Sequence, residues 1–463
     1  MKSTLIIIGG LLLICFSLQS QILYVPQTYG TIQEGINAAV DHDTVMVSPG
    51  EYFENINFNG KNIVLCSNFA TTGDPNYITT TIINGSLPTY EDTASCVLIV
   101  SGEDSTAVLQ GFTITGGAGT RWEDEHNLNY WYTEGGGILI QYSSPTIKNN
   151  IITGNEATNK PVGTTSAGGG AIRSGDGNPH ILNNVISYNQ GRYGGGIVMN
   201  YSGAVIKNNI IFGNSGGQDF GGGGLWFLSN GDKPLILENN TIVYNASSLG
   251  GGGIRQLSNS TTIINNIIWG NTASYSAQIQ GGGNIDYCCI EGGNYGVGNI
   301  DEDPDFTPIS FILSDNSPCI DAGSSDEIFN DPEDPNNTGY ALYPAQGGLH
   351  SDIGAYGGPG CIQLPDIVTS IDQSPINKQS VICNVFPNPA TSTITIDLAT
   401  NHEDAVEIQL FDSRAVFLKH VARNWVINSR MNIETDVADL SSGVYFLKIT
   451  SKNGVQVHKF IKN

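Results

Sequence analysis

Positive charge is scarce in this chain: 19 Lys and Arg stand against 43 Asp and Glu in 463 residues, a formal net charge of −24. Such a field repels nucleic-acid phosphates and anionic membrane surfaces, so neither is expected as a partner. Long apolar runs are missing beyond the N-terminus. There, Lys2 followed by the apolar run Leu5–Leu18 and small Ser20 has the layout of a secretory leader, so residues 1–20 are expected to be a signal peptide. No second stretch is apolar for long enough to span a bilayer, which leaves a mature chain that is soluble or tethered to a surface. Cysteine is sparse. Cys66, Cys96, Cys288, Cys289, Cys319, Cys361 and Cys383 remain after the leader, an odd set whose spacing fits no zinc motif. Export permits disulfides among them, and buried free thiols are the other reading. Helical periodicity is nearly absent too. One amphipathic stretch, Thr31–Val40, places Ile32, Ile36, Ala39 and Val40 on one side. It is expected to form a helix over about residues 31–40 that caps an open sheet edge.

What is abundant is glycine, 58 residues, much of it in order. Triplets begin at Gly135, Gly168, Gly194, Gly221, Gly250 and Gly281, each followed within two residues by an aliphatic: Ile138, Ile172, Ile197, Leu225, Ile254 and Ile285. After the first five comes an Asn pair, at Asn149-Asn150, Asn183-Asn184, Asn208-Asn209, Asn239-Asn240 and Asn265-Asn266, and a further Asn closes each unit. A period of roughly 25–34 residues built from short β-branched runs means stacked strand coils rather than helical repeats. The fold class expected is all-β: a right-handed parallel β-helix over residues 22–361. In it Asn150, Asn184, Asn209, Asn240 and Asn266 form a structural ladder of side-chain amides, and the aliphatics fill the core.

Aligning the coils on those aliphatics gives a neighbouring column of Leu139, Arg173, Val198, Trp226, Arg255 and Asp286. Alternation along a strand turns it outward. Trp226 with Arg173 and Arg255 could stack a sugar ring and pair a uronate carboxylate, or it could be a covered Trp with arginines engaged by acids. Two connections between coils are long, Ala118–Glu134 and Glu156–Ala167. The first gathers Trp122, Tyr130, Trp131 and Tyr132 beside Glu123, Asp124, Glu125 and His126. Aromatics serve as sugar platforms and paired carboxylates as acid and base; alternatively these rings pack the loop onto the coils. Residues 291–340 carry twelve Asp and Glu with no Lys or Arg. The alternation of Asp301, Asp303 and Asp305 there is a candidate Ca²⁺ site or a solvated acidic face.

Charge is distributed unevenly. Residues 1–383 hold 11 Lys and Arg against 35 Asp and Glu, while residues 384–463 hold 8 against 8. A polar stretch over 362–383 reads as a linker, and the alternating strands of 384–463 as a small β-sandwich.

Tyr29–Leu65 resembles the opening of pectin-lyase-fold proteins, especially pectin methylesterases and right-handed β-helix repeat proteins. Gly298–Phe306 (GNIDEDPDF), Ser317–Asp326 (SPCIDAGSSD) and Asp352–Gly358 (DIGAYGG) resemble the end of the helix in the latter group. The resemblance implies the fold and leaves activity open, because that fold carries lyases, hydrolases, esterases and adhesins. The QDTL, VDFIFG and LGRPW stretches of the methylesterases are absent, as are the NTD, DD and GHG set of polygalacturonases and the WIDH of lyases. Val385–Thr391 (VFPNPAT), Leu440–Thr450 (LSSGVYFLKIT) and Lys459–Asn463 (KFIKN) resemble the sorting domain of type IX secretion cargo. That implies passage across an outer membrane by the type IX secretion machinery. The function expected is a secreted or cell-surface protein that binds extracellular polysaccharide or acts as an adhesin. The alternative is a uronan lyase using Ca²⁺ and a basic residue, with Arg173 near Asp176 or Arg192 near Asp219 as hints.

Overall fold

The computed structural model describes residues 20–160, 163–217, 219–228, 233–257, 261–307, 311–365, 382–387, 390–399, 404–412, 417–427, 430–451 and 454–463. The expected leader, apart from Ser20, lies outside them, as does the centre of the expected linker. Short runs such as Ile138–Gln141, Thr146–Lys148 and Ile151–Thr153 recur once per coil and pair in parallel with their counterparts in the next. Three parallel sheets of ten, nine and eight strands result, coiled around a single core.

Alternation decides which residues fill that core. Ile138, Ile172, Ile197, Leu225 and Ile254 stack in register on the eight-stranded sheet, and Ile147, Ile181, Ile206, Leu237 and Ile263 on the ten-stranded sheet, all fully buried. Each contributes about 1.5–3 kcal/mol by leaving water. The helix Ile32–Ala38 opens on Thr31, whose hydroxyl accepts from Glu34 N while the Glu34 carboxylate accepts from Thr31 N. This reciprocal pair fixes the first turn, and Ile32 and Ile36 enter the core over the first strands.

The two members of each Asn pair do different work. The second points inward. Asn150 N and Nδ2 donate to Asn184 Oδ1 at 3.0 and 3.1 Å, and the chain continues through Asn209 and Asn240 to Asn266. Cys288 Sγ takes the next place, accepting from Asn266 N at 3.4 Å. A parallel ladder runs through the closing residues Asn155, Asn189, Asn214, Asn245 and Asn271. The first member sits at positive φ, between 50° and 57° in Asn149, Asn183, Asn208, Asn239 and Asn265, where Asn is tolerated better than most residues.

Those outer asparagines hold the returning chain. Residues 351–360 run back along the coils: Asn239 Nδ2 donates to Asp352 O at 2.9 Å, Asn208 Nδ2 to Gly357 O at 2.7 Å, and Asn183 Nδ2 to Gly360 O at 3.1 Å. This strap covers the outer face of the nine-stranded sheet. There Ile151, Val185, Ile210, Phe212, Val243 and Ile267 share an apolar cluster with Leu313, Cys319, Ile353 and Leu364. At the turn after that sheet, Tyr and Gly alternate from coil to coil. A Cβ on Gly213 would lie 2.7 Å from the Tyr188 ring, and one on Gly270 would run into Tyr244. The triplet glycines are similarly forced, since a Cβ on Gly136 would collide with the Gly170 carbonyl of the next coil.

Two antiparallel sheets form the C-terminal region, one of three strands and one of four. Ile394, Ile396, Leu398 and Ile433 of the first share a core with Val406, Ile408, Leu410, Leu447 and Phe460 of the second. This is a β-sandwich.

Candidate ligand-binding site

The outward column lies on the eight-stranded sheet. Leu98, Leu139, Arg173, Val198, Trp226, Arg255 and Gln280 are paired in register from coil to coil. Asp286 does not belong to it: Ile285 and Asp286 pair with Ile263 and Ile264 of the ten-stranded sheet, and Ile279-Gln280 fill the last place in the column. The final Gly triplet is therefore out of phase with the other five.

Facing away from the core does not expose this column. Leu139 and Val198 are fully buried, Arg173 is 2% exposed and Trp226 is 5% exposed. The long connections account for much of the cover. Gly119–Glu123 and Trp131–Glu134 form an antiparallel hairpin, extended by Thr93–Ala94 on one side and Thr165–Gly168 on the other. Alternation divides the hairpin's residues. Trp122, Tyr132 and Glu134 share one face and are half-buried or buried, whereas Arg121 and Trp131 share the other and are exposed.

Glu134 carries the hairpin onto the coils. Arg173 Nε lies 2.8 Å from Glu134 Oε2, and both side chains are buried; Arg173 Nη1 donates to Ala167 O at 3.1 Å. Gln141 Nε2 also donates to Glu134 Oε2, at 2.8 Å. Burial pushes the Glu134 carboxyl up to about 7 against the lowering effect of Arg173. Burial likewise raises Glu125, whose charge Arg173 also favours. Both Glu125 oxygens, Glu134 Oε1 and Gln141 Oε1 are buried without a hydrogen-bond partner among the described residues. At the tip, His126 Nε2 meets Asp176 Oδ2 at 3.0 Å and the His126 ring lies 3.8 Å from that of Tyr201. Asp176 therefore serves His126, with Lys233 Nζ 3.8 Å away, and Arg173 is committed to Glu134.

Further along the sheet, Trp226 stacks on Tyr193 at 5.4 Å, and Phe220 meets Tyr193 edge-on at 4.4 Å. Arg192 lies over both Tyr193 and Phe220 and pairs through Nε with Asp219 Oδ2 at 2.8 Å. Arg255 folds against Gly221, and its Nε and Nη1 have no hydrogen-bond partner among the described residues. Trp226 is thus the floor of an aromatic stack, and Trp226, Arg173 and Arg255 do not make an open platform.

The open recess is on the hairpin's other face. A cavity of about 510 Å³ is lined by Glu91, Asp92, Arg121, Trp131, Lys160 and Thr164. The Arg121 guanidinium carbon sits 4.5 Å from the centre of the Trp131 ring, and Trp131 is 42% exposed. Tyr130, at 57% exposed, lies beside it in the chain. Glu123 Oε1 accepts from Asn129 N at 2.8 Å and Asp124 Oδ1 from His126 N at 2.9 Å, so these two acids brace the hairpin loop. Sequence reasoning picked out Trp131 but passed over Arg121, Lys160, Glu91 and Asp92. Arg121, two residues before Glu123, carried a signal, because strand alternation puts both on the same face.

Asp301 Oδ1 accepts from Gly292 N at 2.9 Å and Asp303 Oδ1 from Asp305 N at 3.0 Å, while Asp305 takes the Ser314 hydroxyl. These three acids brace turns. No group of three or more His, Cys, Asp or Glu among the described residues is placed to hold a metal ion.

With this geometry in hand, comparison with known proteins gives the class. Residues 95–285 match the family described as right handed beta helix region, and residues 384–463 match the secretion system C-terminal sorting domain. The stacked parallel sheets and the match over residues 95–285 make this a right-handed parallel β-helix, and residues 384–463 are a type IX sorting domain. That domain marks it for type IX export, to the cell surface or beyond. Among the described residues no helix is long and apolar enough to cross a membrane. A solved pectin methylesterase in complex with a hexasaccharide is similar at 11% identity and a TM-score of 0.31, over 60% of this chain and 80% of that one. No curated protein matches.

Proposed function

We propose that this exported solenoid binds an extracellular polysaccharide in the recess on the outer face of its hairpin. The observation that carries the reading is an exposed ring with two cations: the Arg121 guanidinium lies 4.5 Å from the Trp131 ring centre, and Lys160 lines the same cavity of about 510 Å³. A sugar ring stacks on an indole, and Arg or Lys pairs an acidic substituent on it. Glu91 and Asp92, which line the same cavity, accept from sugar hydroxyls. Arg121 N donates to Asp92 O at 2.8 Å, which fixes the two sides of the recess relative to each other.

The lyase alternative asks for a basic residue that reaches substrate. Arg173 is 2% exposed and held by Glu134, and Arg192 is held by Asp219. The test is a screen of the full chain on pectin, alginate and related polymers, reading retention and unsaturated-uronate absorbance with and without EDTA. Retention without turnover, weakened about tenfold or more in Trp131→Ala (~1.4 kcal/mol), is expected. Turnover that survives Trp131→Ala would sink the binding reading.

A further inference from the structure

The inner face of the hairpin gathers acceptor oxygens without matching donors. Gln141 closes the strand Ile138–Gln141 and pairs in register with Gly175 one coil on. A Cβ on Gly175 would run into Gln141 Oε1 and lie 3.0 Å from Glu125 Oε1, so the glycine lets the amide and the hairpin's carboxylate approach each other. On its other side the amide reaches Glu134, with Gln141 Nε2 2.8 Å from Glu134 Oε2. Turning the amide over does not relieve the contact, because its oxygen then meets Glu134 in place of Glu125. Gln141 and Glu134 are fully buried, and Glu125 Oε1 and Oε2, Glu134 Oε1 and Gln141 Oε1 have no donor among the described residues. Arg173 brings one positive charge, already engaged by Glu134 Oε2. Asp124 Oδ1 accepts from His126 N at 2.9 Å and His126 Nε2 meets Asp176 Oδ2 at 3.0 Å, which fixes the residues on both sides of Glu125.

We propose that Glu125, Glu134 and Gln141 bind a calcium ion between the hairpin and the eight-stranded sheet, on the face opposite the recess. Two carboxylates and an amide oxygen, with no nitrogen or sulfur donor, are hard ligands suited to Ca²⁺, with water filling the rest of its shell. Because the third ligand is an amide, the site needs only two acids. A proton supplies one of the four oxygens with a hydrogen and a water supplies two, and neither offsets the charge of two carboxylates beside one arginine. A divalent cation does both. Without the ion the carboxyls hold a proton instead, for which burial already raises Glu134 and Glu125. Glu125 and Glu134 come from the hairpin and Gln141 from the coil beneath, so the ion fastens one to the other.

The experiment strips the full chain of metal with EDTA, titrates it with Ca²⁺ by isothermal calorimetry, and follows hydrogen exchange with and without the ion. One site is expected, with a dissociation constant of about 10⁻⁴–10⁻³ M, the range of extracellular modules. Exchange should slow along 119–134 and stay unchanged along 351–360. Glu125→Gln, which keeps the shape and removes the charge, should weaken binding about tenfold or more. The same variant should melt no lower than the wild type in metal-free buffer, so that lost binding is not lost folding. Asp301→Asn, among the acidic turns beyond the last coil, should bind as the wild type does. No binding at millimolar Ca²⁺, equal affinity in Glu125→Gln, or slowed exchange confined to residues outside the hairpin would overturn the proposal.

Discussion

The hairpin over Ile138–Gln141 and the strap over Ile151–Thr153 each shield the outer face of a parallel sheet, but with opposite materials. Under the strap lie Ile151, Val185, Ile210, Phe212 and Val243, met by Leu313, Ile353 and Leu364, while a row of Asn amides satisfies its carbonyls. Between the hairpin and its sheet lie the hairpin's Glu134 and Glu125 with Arg173 and Gln141, several oxygens lacking a hydrogen bond among the described residues. The first is a second hydrophobic core. The second holds charges in a dry place at a cost in stability, and its outer surface carries the recess with Trp131.

The sharpest way to break this contrast is to remove one charge. Glu134→Ala leaves Arg173 buried without its ion pair, and a loss of about 3–5 kcal/mol is expected in denaturant titrations. The pair Glu134→Leu with Arg173→Met should recover most of it. On the strap side, Leu313→Ala should cost about 2–5 kcal/mol through cavity formation, with hydrogen-exchange protection lost along 351–360 but kept in the hairpin. Asn208→Ala, which removes two donations to the strap, should cost about 1–3 kcal/mol.

Acid–base behaviour sharpens the contrast further. Glu134 is raised from 4.5 to about 7, chiefly by burial. The folded state holds that proton more tightly than the unfolded chain, so the stability it adds is complete below pH 4.5 and is lost as pH rises toward 7. Thermal scans between pH 4 and 8 should show Glu134→Gln with a flatter profile than the wild type. Burial also raises Asp331 and Asp352 from 3.8, to about 8 and about 7, with neighbouring carboxylates adding to the rise. The strap therefore loosens over a window of the same sign, which Asp331→Asn should narrow. The smallest effect on stability belongs to Trp131→Ala, within about 0.5 kcal/mol for an exposed side chain, although it should abolish most polymer retention.

Much of the fold was legible because coils repeat. Triplet, aliphatic and amide recur with a spacing that only stacked strands satisfy, and the sorting domain carries distinctive strings of its own. The sites were less legible, and for a physical reason. Alternation tells which side of a strand Trp226 and Arg173 occupy, but not that an inserted hairpin lies over that side. Asn208 and Asn209 likewise look identical in the sequence. Only the return of residues 351–360, far along the chain, gives the first of each pair a task different from the second. The phase slip that removed Asp286 from the column arose because Gly281–Gly283 imitates a triplet in the wrong turn.

One consequence follows from the turn where Tyr188 lies across Gly213 and Tyr244 across Gly270. Excising the coil that contains Gly213 would bring Tyr188 beneath Tyr244, whose Cβ would enter the space the lower ring fills. Along this seam a Gly coil between two Tyr coils cannot be lost by itself, whereas the loss of a Tyr coil brings two glycines together and meets no such obstacle.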